Sequence, residues 1–133
     1  MGTENITEYN LAKHYGSACF YRHGLLRSCV MSEGVHFLCE NGAAWLADII
    51  VSYQLNEKVK ACDKQMWMLT VDKTDNSAKI DCFDYDADYE DLKNRVNPLV
   101  SQVIPFTDFP LAEIEIMCAN NGSGRTIYLP SED

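Results

Sequence analysis

Six carboxylates fall within the eleven residues from Asp81 to Asp91: Asp81, Asp84, Asp86, Asp88, Glu90 and Asp91, interleaved with Phe83, Tyr85 and Tyr89 and without lysine or arginine. Carboxylates at this density can bind a cation, exchange protons in catalysis, imitate a phosphate chain or simply solvate a surface. Over 72–91, eight acidic residues stand against Lys73 and Lys79, so six of the chain's nine net negative charges lie in twenty residues. Charge this local points to a partner. Asp81, Asp84, Tyr85, Asp86, Asp88, Tyr89, Glu90 and Asp91 form the candidate partner-binding site, since tyrosine is enriched where interfaces are strong.

The cation reading fails on spacing. Asp84-Tyr85-Asp86-Ala87-Asp88 has the opening of a calcium loop, but Tyr89 stands where the sharp turn needs glycine and Arg95 where a bidentate glutamate belongs. Zinc needs cysteines and histidines at short spacing. The six cysteines lie ten or more residues apart, and His14, His23 and His36 all fall in the first third. Acid–base catalysis needs a buried acid. Asp48, inside an apolar helix pattern, and Asp108, between Phe106 and Phe109, are the candidates. Each has a simpler reading, Asp48 on the outer side of its helix and Asp108 bonded to turn amides. Cys19 and His23 stand one helical turn apart, but free cysteines are mostly small buried hydrophobes. Neither G-x-x-x-x-G-K-[ST] nor G-x-G-x-x-G occurs, and Gly122-Ser123-Gly124 suits a hairpin loop. No catalytic residue, metal or cofactor is expected.

Phosphate mimicry is limited by geometry. Alternate residues on one strand face stand about 6.6 to 6.8 Å apart, whereas a DNA strand carries a phosphate about every 3.4 Å. Mimicry therefore requires Asp72, Asp75, Asp81, Glu113 or Glu115 to be brought alongside by the fold.

The elements that position these groups follow from periodicity. Ser32 is expected to cap a short helix carrying Val35, Leu38 and Cys39, stopped by Asn41-Gly42. In 43–54, Trp45, Leu46, Ile49, Ile50 and Tyr53 make one wide apolar stripe, the best-defined helix. Earlier, 5–17 has helical spacing, and Phe20, Tyr21, Leu25 and Leu26 read as a loop. The segment 56–64 reads as a surface connection. After it the period drops to two. Met66 to Val71 and Ala78 to Tyr85 read as a hairpin around Asp75-Asn76-Ser77, with Trp67, Leu69 and Val71 on one face and Met66, Met68 and Thr70 on the other. Asp88 to Asn97 reads as a short helix, acidic in its first turn and basic in its last. Leu99 to Ile104, Glu113 to Ala119 and Thr126 to Leu129 read as strands, the last two joined at Asn120 to Gly124. Helices segregated from hairpins predict an α+β fold over 1–133, a single domain with N-terminal helices packed on one face of an antiparallel sheet of about five strands. The other face, with Lys79, Asp81, Glu113 and Glu115, is expected to meet solvent or a partner.

Composition narrows the partner. The 133 residues are 47% hydrophobic, too rich for disorder, and the net charge of −9 opposes binding to nucleic acid or anionic lipid. A partner should be basic, such as a protein that normally holds nucleic acid. The N-terminus lacks a signal-like stretch and the apolar run 43–51 is too short to span a bilayer, so reduced thiols in a cytoplasmic protein are expected.

Trp45-Leu46-Ala47-Asp48-Ile49-Ile50, and Phe106-Thr107-Asp108-Phe109-Pro110-Leu111 followed by Leu129-Pro130-Ser131-Glu132, with Glu33-Gly34-Val35 and Trp67-Met68-Leu69-Thr70-Val71, carry a family resemblance. Over about 20–132 the chain resembles small bacterial, plasmid and phage proteins described as a domain of unknown function, and between Asp86 and Pro98 it departs from them by being longer. The resemblance implies no site residue. It implies a mobile-element setting, and with it an antagonist of a host defence complex such as a CRISPR effector. The expected function is a small acidic inhibitor that occupies a basic surface. A cytosolic enzyme using a cysteine or buried aspartate, or a structural homodimer, are the alternatives.

Overall fold

The structure is a computed structural model that describes residues 6, 20–22 (backbone only), 29–85, 98–122 and 124–132. Seven strands form one sheet: β1 (Phe20–Arg22), β2 (Cys29–Ser32), β3 (Lys64–Asp72), β4 (Ser77–Asp84), β5 (Val100–Ile104), β6 (Glu113–Asn120) and β7 (Arg125–Tyr128), in the order β1-β2-β7-β6-β3-β4-β5. The helices are α1 (Glu33–Leu38), α2 (Ala44–Ser52) and α3 (Glu57–Lys60). The α+β class follows, with α1 and α2 ahead of the long hairpins and packed on one sheet face.

Two strands escape the sequence pattern. Phe20–Arg22, expected as a loop, pairs with Cys29–Ser32, and that strand joins β7 in parallel. The described sheet is therefore mixed and has seven strands rather than five. Both extra strands are three or four residues long, too short to display alternation. The remaining pairs are antiparallel hairpin or neighbour pairs.

Ser32 ends β2 and starts α1, its hydroxyl accepting from Val35 N at 3.3 Å. The chain then kinks at Asn41 and Gly42, the latter at φ 98°, a conformation open to glycine. In α2, Leu46, Ala47, Ile50 and Val51 are buried, while Trp45, Ile49 and Tyr53 flank them half-exposed. The buried stripe thus lies one residue further on than the largest side chains suggest. The 56–64 connection contains a helix: Asn56 caps α3 through Oδ1, and Val59 is fully buried.

The helix-facing core unites Val35, Leu38, Leu46, Ile50 and Val59 with Trp67, Leu69, Ile80, Ile116 and Ile127. A buried glutamine pair within it, Gln54 and Gln65, is fully hydrogen-bonded. Gln65 Oε1 accepts from Trp67 Nε1 at 2.9 Å and Gln54 Nε2 at 3.0 Å, while Gln65 Nε2 donates to Gln54 Oε1 and Val59 O at 3.0 Å. The opposite, back face is not simply polar. Met66, Met68, Phe83 and Met117 form a second buried cluster there, flanked by Tyr128.

Candidate functional site

The acidic run does not make one surface. β4 ends at Asp84, and Asp81 and Asp84, three residues apart on it, take opposite sheet faces. Register places Asp81 on the back face, between Met68 and Ser101, and Asp84 beside Gln65 on the helix side. There Asp84 hydrogen-bonds the Cys62 thiol. Tyr85 is 43% exposed, with Lys64 Nζ 4.3 Å from its ring centroid. Asp86, Asp88, Tyr89, Glu90 and Asp91, with the helix expected over 88–97, lie outside the described residues, as do Cys19 and His23.

What the fold does gather is acid from separate strands. Met68 stands opposite both Asp81 and Glu115, Thr70 opposite both Lys79 and Glu113, and Asp72 opposite Ser77. Side chains opposite each other in register share a face, so Asp81 and Glu115 flank Met68 on the back face and Glu113 and Asp72 follow toward the β3–β4 turn, beside the methionine cluster. Lys64 and Lys79 are the lysines there among the described residues. Neighbouring strands stand about 4.8 Å apart and alternate residues about 6.8 Å apart. Asp81 and Glu115, two strands apart, are therefore separated by about 9.6 Å at the backbone. Glu113 and Glu115 belong to the site, and the signal for them was the strand alternation that set them opposite Ile114 and Ile116.

A groove of about 660 Å³ crosses this face, lined by Met68, Thr70, Asp72, Ser77, Lys79, Asp81 and Val103 among others. Val103 at 68% exposure forms its rim on edge strand β5. Asp81 is buried, and its Oδ1 has no hydrogen-bond partner among the described residues. Lys79 Nζ stands 3.6 Å from Oδ2.

The catalytic alternatives find little geometry. Asp48 and Asp108 are both exposed. It is the buried Thr107 that braces the turn, its Oγ1 accepting from Phe109 N at 3.1 Å. Burial pushes the thiols of Cys39 and Cys62 up to about 11 and that of Cys118 to about 12, and raises those of Cys29 and Cys82 as well. Nucleophilic cysteines have their thiolate favoured, the opposite shift. No group of three or more histidine, cysteine, aspartate or glutamate side chains able to hold a metal occurs among the described residues. No helix among them is long and apolar enough to cross a membrane.

Four of the five motif stretches meet in pairs and do structural work. Glu132 accepts from Ser32 Oγ, from Leu129 N at 2.9 Å and from Gly34 N at 3.1 Å, clasping the C-terminus onto the start of α1. A Cβ on Gly34 would stand 2.6 Å from Leu129 Cδ1 and 2.8 Å from Glu132 Oε1. Trp45 meets Phe109 edge to face at 6.4 Å, above a cavity of about 90 Å³. Lys73 Nζ donates to Phe109 O at 2.7 Å.

The fold and site define an α+β domain with helices on one side of a mixed sheet and carboxylates beside an apolar cluster on the other. The chain belongs to a family of unknown function, DUF6876, whose model matches residues 5–133. That range includes 86–98, the stretch read as an addition. No curated protein matches the chain, and no solved structure does.

Proposed function

We propose that the protein is a small acidic binding protein that inhibits a host nucleic-acid-handling complex, of the kind mobile elements use against defence systems such as CRISPR effectors, by covering a basic protein surface. The observation that carries this reading is the convergence of Asp72, Asp81, Glu113 and Glu115 from three strands onto the face opposite the helices. Their spacing is coarser than that of phosphates. The surface therefore attracts a basic partner through its field and does not copy a nucleic-acid strand phosphate by phosphate. Exposed Tyr85 stands just past the end of β4, next in sequence to the acids of 86–91. Nucleic acid and anionic membranes are not partners under this reading, and cytoplasmic targets suit the six thiols.

The test is capture of host proteins from bacterial lysate at low and high salt. Between 50 and 200 mM salt, retention of a basic, nucleic-acid-binding protein should fall about tenfold, since exposed charge pairs are screened over about 10 Å. Combined Asp72→Lys, Glu113→Lys and Glu115→Lys should abolish capture with the fold intact. Asp84→Lys, Asp86→Lys, Asp88→Lys and Glu90→Lys together should weaken it. Capture indifferent to salt and to both sets of reversals would sink the reading.

A further inference from the structure

Asp81 is a carboxylate that the fold buries without completing. It is 7% exposed, its Oδ1 lacks a donor among the described residues, and its nearest cation among them, Lys79 Nζ, stands 3.6 Å from Oδ2, beyond a good hydrogen bond. A buried charge with too few donors is destabilising, and an apolar residue at such a place is commonly tolerated or preferred. The adjoining Met66, Met68, Phe83 and Met117 show that this face accepts apolar side chains. Pairing of β4 with its neighbours uses the backbone alone, so the strand itself has no need of an acid at this position.

The surroundings specify what donor would fit. The groove has apolar walls at Met68 and Val103 and hydroxyls at Thr70 and Ser77. That is a passage for an alkyl stem with a charged end. A divalent metal is disfavoured, because Asp81 offers one carboxylate with the Lys79 ammonium beside it. Lys79 is half-exposed on a flexible stem, so it can yield its place to a second cation. The carboxyl torsion is broad enough to turn either oxygen toward an entering donor.

We infer that this groove is a socket for one basic side chain, lysine or arginine, of the protein partner. The inference rests on the back face being the partner surface, and it names the residue class that surface selects.

The test uses the intact protein with N-acetyl-lysine methylamide, N-acetyl-arginine methylamide and the neutral N-acetyl-norleucine methylamide, followed by amide chemical shifts. Either cation should give saturable millimolar shifts centred on Met68, Thr70, Asp81 and Val103, and the norleucine compound at least tenfold weaker ones. Asp81→Asn should remove the cation response, and Lys79→Met should tighten it about threefold. Equal response to the neutral compound, or a cation response retained in Asp81→Asn, would overturn the socket. The wild-type comparison decides the matter even if Asp81→Asn fails to fold. Salt-sensitive capture of a basic protein without any response to these compounds would refute the socket and leave the broader function standing. A response without any captured partner would do the reverse.

Discussion

Glu132 shows what a single side chain near the end of the chain contributes. Its carboxylate receives three donors, two from the distant Ser32 and Gly34 at the start of α1 and one from nearby Leu129 at the end of the sheet. Hydrogen bonds to a charged group contribute about 1.5 to 3 kcal/mol each and are not additive. Glu132→Ala should lower unfolding free energy by about 2 to 4 kcal/mol in urea titrations, with Glu132→Gln losing less. Gly34→Ala should cost about 1 to 3 kcal/mol by overpacking, because both groups it would meet are held in place. From the sequence, Leu129-Pro130-Ser131-Glu132 was legible only as a motif. Its role depends on a contact across almost a hundred residues, which no local pattern encodes.

Among the elements, the β3–β4 hairpin was the most legible and the short strands the least. Alternation over Met66–Val71 assigned both faces of β3 correctly, because one face must pack against α2 and a one-residue slip would expose Trp67 and Leu69. The tip carries Asn76 at φ 59°, the left-handed region that asparagine tolerates, and Asn76 O accepts from Thr107 N at 2.8 Å. Asn76→Ala should therefore lose about 1 kcal/mol, and Asn76→Gly should be near neutral, as thermal unfolding would read. β2 was missed since its parallel partner β7 lies about a hundred residues away. α3 was missed because a four-residue helix with one buried side chain has no periodicity to read.

For the whole molecule, burial of the thiols makes stability depend on alkaline pH. Cys118 titrates near 12 and Cys39 and Cys62 near 11 in the folded protein, all raised from 9.0 chiefly by desolvation. Between about pH 9 and 11 the unfolded chain releases thiol protons that the folded chain retains, so stability present below pH 9 declines as pH rises. Urea midpoints should fall from pH 7.5 to pH 10.5, and the fall should be shallower in Cys118→Val. Among the described cysteines, labelling by a thiol reagent at pH 7.5 should be slow until the protein unfolds. Rapid labelling of any of them would revive the enzyme alternative.

The sequence by itself determined the charge, the α+β class and the inward and outward faces of the long strands, because each depends on composition or on a period of two or four along the chain. The tertiary structure decided which acids act together. Asp81 and Asp84, neighbours in the visible run, lie on opposite sheet faces, whereas Asp72, Asp81, Glu113 and Glu115, scattered over more than forty residues, are assembled on one. Strand register does this, and it is set by long-range pairing and core packing that neighbouring residues cannot display.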